Sequence, residues 1–179
     1  MQKPSAILER LTLIALPLLL ITTVQAAPLQ VGQPAPRFEL KTQDGSDFSL
    51  ASREGLGWTV LYFYPKAGTP GCTTQACAFR DAVDLIRRQH AEVYGISTDS
   101  IEDLQDFHRR HKLTFSLLSD PDARASEAYG VKMPILNLAK RWTFIVDPNL
   151  VVRRIDDDVD PALDAQRVAE MLKNLREAP

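Results

Sequence analysis

The sequence predicts an α/β protein with a central mixed β-sheet flanked by helices and an N-terminal β-hairpin. Apolar, β-favouring runs alternate with helical patterns through the middle of the chain, which is typical of parallel strands joined by helices. The final two predicted strands are separated only by Asp147-Pro148-Asn149, so they pair antiparallel and make the sheet mixed. The chain has 179 residues, of which 45% are hydrophobic, and this is enough for one domain with a sizeable core.

The individual elements follow from hydrophobic periodicity in chain order. Alternating apolar residues on both sides of Asp44-Gly45 predict the hairpin. The continuously apolar run Trp58–Tyr64 predicts a strand buried on both faces. Further strands are predicted at 92–97, 115–118, 143–146 and 150–155, and helices at 72–88, 101–111, 122–129 and 161–176.

Capping residues and a loop complete this prediction. Ser100 is the predicted N-cap of the second helix, with Asp103 three residues later as a loose capping box. Asp160 is the predicted N-cap of the last helix, with Pro161 in its first position. The stretch 131–140 has no clear period and is predicted to be a loop.

The first 26 residues resemble a secretory signal peptide. Lys3 and Arg10 provide a weakly basic start, and the apolar stretch Leu11–Val24 follows. That stretch is shorter than the roughly 20 residues that span a membrane. Small or short residues before Ala27 favour cleavage after Ala26, which leaves residues 27–179 as a single domain without stable membrane association. An uncleaved N-terminal anchor is the alternative, and both interpretations predict an exported, periplasmic location.

The charge of the chain excludes one class of function. The formal net charge is −2, and no Lys/Arg-rich run interrupts the sequence. A protein that binds the phosphate backbone needs a basic patch or stripe. We therefore expect no nucleic-acid partner.

Both cysteines lie in the segment Phe63–Cys77, which is also dense in proline and glycine. Four of these residues end the preceding strand and force a loop: Pro65, Gly68, Pro70 and Gly71. The helical pattern begins at Cys72, so this cysteine is predicted in the first turn of a helix. Unpaired backbone N–H groups and the positive end of the helix dipole favour a thiolate there.

The spacing of Cys72 and Cys77 allows two interpretations. A static structural disulfide is common in exported proteins. On an ideal helix, however, residues five apart have Cα atoms separated by roughly 8.6 Å, and a disulfide requires no more than about 7 Å. The bridge can form only if the helix unwinds locally, which favours a redox-active pair over a static one.

The segment Pro65-x-x-x-Thr69-x-x-Cys72 resembles the peroxiredoxin active-site motif. Cys77 resembles the resolving cysteine of the atypical two-cysteine bacterioferritin-comigratory (PrxQ) subfamily. The resemblance covers about residues 31–154 and includes three further segments: YGISTDS (94–100), FSLLSDPD (115–122) and RWTFIVDPN (141–149). It implies a thioredoxin-like fold and a thiol peroxidase that reduces hydrogen peroxide and organic hydroperoxides.

The resemblance also implies a role for each site residue. Cys72 is expected to attack the peroxide and become a sulfenic acid, and Cys77 is expected to resolve it as an intramolecular disulfide. Arg141 is expected to contact the sulfur and the peroxide, with Arg80 as a weaker candidate. Two residues of the loop complete the pocket: Thr69 offers a hydroxyl, and Pro65 shields the thiolate. No cofactor or metal is implied; the expected partners are a peroxide and a thioredoxin-like or other dithiol reductant, and the protein is expected to be a monomer.

Two other functions compete with this hypothesis. A thioredoxin-like disulfide oxidoreductase shares the fold, but such proteins usually carry Cys-x-x-Cys, and here four residues separate the cysteines. A non-enzymatic binding module with a structural disulfide is the other alternative. Reduction of insulin disulfides would distinguish the first of these from a peroxidase, and the effect of reduction on the melting temperature would distinguish the second.

Overall fold

The structure is a computed structural model that describes residues 28–177. The predicted signal peptide, residues 1–26, lies outside the described residues. The described residues form seven strands: β1 (Glu39–Thr42), β2 (Asp47–Ser49), β3 (Trp58–Phe63), β4 (Ala91–Ser97), β5 (Ser116–Ser119), β6 (Trp142–Val146) and β7 (Val152–Asp156). They also form four α-helices: α1 (Pro70–Arg87), α2 (Ile101–His111), α3 (Arg124–Ala128) and α4 (Asp164–Glu177).

All seven strands belong to one sheet with the order β2-β1-β5-β4-β3-β6-β7. The central strands β3, β4 and β5 run parallel, whereas β1, β2, β6 and β7 join them antiparallel. The sheet is therefore mixed, and β1 and β2 form the predicted hairpin. This arrangement confirms the predicted α/β, thioredoxin-like fold.

Alternation along β3 supplies a core on both faces of the sheet. Val60 and Tyr62 face a cluster that contains the buried residues of α1, α2 and α4. Leu61 and Phe63 face a second cluster built from α3, the hairpin and β7. A strand that is covered on both faces offers few positions to polar side chains, which is why every residue of Trp58–Phe63 except Thr59 is apolar or aromatic.

Several boundaries differ from the prediction. Helix α1 begins at Pro70 rather than Cys72, because proline fits the first position of a helix, where its missing N–H is not needed. Helix α4 begins at Asp164, although Pro161 was expected to be its first residue. The Asp160 carboxylate accepts from the N–H of Ala162, so the intervening residues form a turn that delays the helix.

The second helix starts as predicted. The Ser100 hydroxyl accepts a hydrogen bond from the Asp103 N–H at 3.2 Å, and α2 begins at the next residue. The stretch 131–140 is a loop apart from one bridge between Lys132 and Ala139. Within residues 28–177, no helix combines the length and apolar character required to cross a bilayer.

Candidate active site

The Cys72 thiol lies at the N-terminus of α1, where a strand, a loop and a helix follow one another within a few residues. β3 ends at Phe63, and the loop turns at Gly68, whose φ of 75° favours glycine. Thr69 is the N-cap of α1, and the first intrahelical bond runs from the Thr73 N–H to the Thr69 carbonyl. The N–H groups of Gly71 and Cys72 precede that bond, so they point into the space in front of the helix.

Arg141 places a positive charge beside the sulfur. Its Nη2 lies 3.3 Å from Cys72 Sγ, and Cys72 is only 2% exposed. A Cβ at Gly71 would lie 3.3 Å from the same nitrogen, so the glycine permits the close approach of the guanidinium. A guanidinium beside a buried sulfur can donate a hydrogen bond to it and stabilise negative charge that develops there.

A series of side-chain hydrogen bonds holds the Arg141 guanidinium in place. Its Nη1 donates to Gln75 Oε1 at 2.6 Å, and Gln75 Nε2 donates to Asp164 Oδ2 at 2.6 Å. The Thr143 hydroxyl donates to the same carboxylate oxygen at 2.8 Å. Side chains from α1, β6 and α4 and from the residue preceding β6 therefore meet in one buried polar network behind the sulfur.

Asp164 is the buried acid of this network. It is 1% exposed, and burial raises its pKa from 3.8 to about 6. Hydrogen bonds from Gln75 and Thr143 and the charge of Arg141 oppose this rise, whereas the charge of Asp156 adds to it. A buried carboxylate with a raised pKa is costly to keep ionised.

The raised pKa of Asp164 predicts a pH-dependent stability of the reduced protein. Between pH 3.8 and about 6 the folded chain binds a proton that the unfolded chain has lost, so the free energy of unfolding falls as pH rises through this range. Above about pH 6 the loss is complete, and at 1.36 kcal/mol per pKa unit it amounts to about 2–3 kcal/mol. Urea unfolding should be measured for the parent and for Asp164→Asn across this pH range. As pH rises, the free energy of unfolding of the variant should increase by this amount relative to that of the parent.

Glu170→Gln is the matched control for this measurement, because Glu170 is an exposed carboxylate on the same helix. Its difference from the parent should stay constant with pH. A constant difference for Asp164→Asn as well would show that Asp164 does not titrate in this range.

The loop before α1 carries the other predicted site residues. The Thr69 hydroxyl donates to the Lys66 carbonyl at 3.0 Å, so its proton is used within the turn and its oxygen can still accept a hydrogen bond. Pro65 is half-buried directly after the buried Tyr64. The Asp99 carboxylate accepts from the Ala67 N–H at 2.8 Å, which ties the loop to the end of β4.

Cys77 lies on α1 one and a half turns after Cys72. Both thiols are free, and Cys77 is half-buried. Arg80, the weaker candidate, donates to Asp81 Oδ1 and to the His111 carbonyl, each at 2.8 Å. It faces Cys77 rather than Cys72, and its pKa is raised chiefly by the bond to Asp81 and less by Cys77.

The sequence of this chain is similar to those of a known protein family. Residues 31–155 match the AhpC/TSA family. The chain belongs to this family. Peroxiredoxin Bcp of Escherichia coli strain K12 is 39% identical over 137 residues, which are 73% of this chain and 87% of that protein.

Solved structures of the family have the same fold. Peroxidoxin BcpB from Mycobacterium tuberculosis aligns with a TM-score of 0.78 and 32% identity, covering 83% of this chain and 99% of that one. The bacterioferritin comigratory protein of Xanthomonas campestris, studied for alkyl peroxide reduction, aligns with a TM-score of 0.74 and 28% identity, covering 78% and 92%. The predicted resemblance to PrxQ-type peroxiredoxins is confirmed, and with it the enzyme class, a thiol-dependent peroxidase.

The structure brings Cys72 and Arg141 together, and it leaves Thr69 and Pro65 in the loop that precedes α1. It adds two residues that the sequence analysis missed. Gln75 is four residues before Phe79, and Asp164 is four before Val168, so each is a polar residue on an apolar helical face. That signal was available, because a polar side chain on a buried face needs a partner.

Proposed function

We propose that this protein reduces hydrogen peroxide and organic hydroperoxides with Cys72 as the peroxidatic thiol and Cys77 as the resolving thiol. One observation carries the proposal: the Arg141 guanidinium lies 3.3 Å from Cys72 Sγ at the N-terminus of the helix that also holds Cys77. A cation and free N–H groups at that point can bind both the sulfur anion and a peroxide oxygen.

The first step is a displacement at oxygen. The Cys72 thiolate attacks one peroxide oxygen, the S–O bond forms as the O–O bond breaks, and the leaving oxygen takes a proton and departs as water or an alcohol. Charge moves from sulfur to the leaving oxygen, and Arg141 with the N–H groups of Gly71 and Cys72 stabilises it throughout. The Thr69 oxygen, whose proton is donated to Lys66, can accept a hydrogen bond from a peroxide O–H.

The second step joins the two cysteines. The Cys77 thiol attacks the sulfenic sulfur, a disulfide forms, and one water molecule leaves. Because both residues belong to the continuous helix α1, the first turns of that helix must unwind before the sulfurs meet. A dithiol protein then supplies two electrons and two protons, and both thiols are restored.

The setting of this cycle is also part of the proposal. The basic start and apolar stretch of residues 1–26 support export to the periplasm, with residues 27–179 as the mature single domain. In that compartment the dithiol donor must itself be kept reduced, so a thioredoxin-like reductant is the expected partner. The site is complete within one chain, which supports a monomer.

Cys77→Ser separates the two steps of the cycle. The variant should consume one equivalent of peroxide at the parent rate, because Cys72 and Arg141 are unchanged. It should then lose turnover supported by a thioredoxin-type dithiol by about 100-fold or more, since no disulfide is presented to the donor. Stopped-flow mixing measures the first quantity and a coupled turnover assay measures the second.

Insulin reduction by the reduced protein is the control for the disulfide-exchange alternative. A peroxidase should not raise the rate of insulin precipitation above that of free dithiothreitol. Unimpaired donor-supported turnover of Cys77→Ser would show that Cys77 does not resolve Cys72.

A further inference from the structure

The Asp164 carboxylate is linked to the Arg141 guanidinium, the cation beside Cys72 Sγ, through the side-chain amide of Gln75. Asp164 Oδ2 accepts from Gln75 Nε2 at 2.6 Å, and Gln75 Oε1 accepts from Arg141 Nη1 at 2.6 Å. An ionised carboxylate can only accept hydrogen bonds. It therefore attracts the NH₂ end of the Gln75 amide and leaves the carbonyl end facing the guanidinium.

We propose that Asp164 is a positioning residue for Cys72, which holds the Arg141 guanidinium at the sulfur through Gln75 while the protein is reduced. The inference rests on the proposed function, since it concerns the reactivity and the disulfide of the same cysteine. Asp164 touches neither the sulfur nor the space in front of it, so its effect is indirect.

The surroundings of Asp164 show that packing alone does not explain its presence. Charged and titratable groups act on it from three directions: Arg141 just before β6, Asp156 on β7 and Tyr62 on β3. On α1 its neighbour is the neutral Gln75. Within residues 28–177, Asp164 Oδ1 has no hydrogen-bond partner, so the carboxylate is held by one oxygen only. An acid in this position is costly, and its hydrogen bonds lead to the active-site arginine.

The network also opposes disulfide formation. Gln75 lies between Cys72 and Cys77, in the segment of α1 that must unwind. Unwinding draws the Gln75 amide away from both Asp164 and Arg141. The bond between α1 and α4 therefore stabilises the reduced, helical state relative to the disulfide. Loss of Asp164 should make the disulfide easier to form and harder to reduce.

The first experiment measures Cys72 reactivity in a Cys77→Ser background, where only one thiol reacts. Reduced protein is mixed with stoichiometric hydrogen peroxide, and thiol loss is followed. Asp164→Ala removes the acceptor for Gln75, and the rate should fall by about tenfold or more as Arg141 loses its fixed orientation. Asp164→Asn keeps an acceptor oxygen without the charge, so its loss should be smaller. The control Glu170→Gln should react at the parent rate.

Gln75→Met tests the same connection from its other end. Methionine has a similar shape but cannot bridge Asp164 and Arg141. If the two residues act as one unit, the double variant Gln75→Met/Asp164→Ala should react no more slowly than the slower single variant. Additive losses would show that Asp164 affects the site by another route.

The second experiment measures the reduction potential of the Cys72–Cys77 couple, with both cysteines present, in equilibrium with the dithiothreitol couple. Asp164→Ala should favour the disulfide by about tenfold, which is a potential about 30 mV more negative than that of the parent. A residue that merely stabilised both redox states equally would not move this value. If Asp164→Ala does not fold, the reduction potential is measured with Asp164→Asn and Gln75→Met, which disrupt the same hydrogen bonds.

Two failures can be told apart. If the parent protein forms no disulfide after one peroxide, the proposed function is wrong, and the reactivity measurement alone decides the role of Asp164. If the parent cycles normally but the Asp164 variants match it in both rate and potential, the proposed function stands and the positioning role is overturned.

Discussion

Cys72→Ser is expected to abolish peroxide reduction, with the rate falling by more than about 1,000-fold to that of the buffer. The serine hydroxyl has nearly the same shape as the thiol but is a far weaker nucleophile, and Cys77 is the one other cysteine of the sequence. Cys77 cannot take over, because it lies on α1 beyond the free N–H groups of the helix N-terminus. Peroxide consumption with a dithiol reductant measures the loss.

The matched control for this substitution is Cys77→Ser, which removes the other thiol and leaves the first step intact. Both variants should unfold cooperatively, as followed by circular dichroism. Parent-like peroxide consumption by Cys72→Ser would end the peroxidase hypothesis for this site.

Arg141→Met is expected to slow the reaction of Cys72 with peroxide by about 100- to 1,000-fold, which is the cost of removing a preorganised donor from a site of developing charge. The guanidinium is the group that contacts Cys72 Sγ at 3.3 Å, and methionine fills a similar volume without a charge. Arg141→Lys should recover only part of the rate, because an ammonium cannot contact the sulfur and Gln75 as a planar fork does.

Arg124→Met is the control for Arg141→Met, because Arg124 is an exposed arginine on α3 with one weak ion pair to Asp122 at 3.6 Å. Its rate should equal that of the parent. The second-order rate constant of thiol loss is the quantity to compare. An Arg141→Met protein that folds and still reacts at the parent rate would show that the helix N-terminus suffices to activate Cys72.

Much of the fold could be predicted because its elements carry strong local signals. The run Trp58–Phe63 is apolar or aromatic except for Thr59, the hairpin has an Asp-Gly turn, and Ser100 caps α2 as expected. The start of α4 could not be placed, because Asp160 forms a side-chain bond to the Ala162 N–H that holds a turn where Pro161 suggested a helix. Local side-chain bonds of this kind compete with helix initiation.

The residues of the candidate site could be predicted where they belong to one short sequence motif. Cys72 and Thr69 share one motif, and Arg141 is the residue before β6. The network behind them was not predictable in detail, because its members meet only through the tertiary fold: Gln75 and Asp164 are 89 residues apart in the chain. Periodicity could have marked them as polar residues on buried faces, but no sequence pattern names the partner of either one.

A rapid-mixing titration tests the redox change of the cysteine pair most directly. Reduced protein is mixed with one equivalent of hydrogen peroxide, and free thiols and tryptophan fluorescence are followed together. Fast loss of both thiols with a stoichiometry of one peroxide per chain, accompanied by a fluorescence change as α1 unwinds, is the predicted result. Thiol loss no faster than that of a small free thiol at the same pH would contradict it.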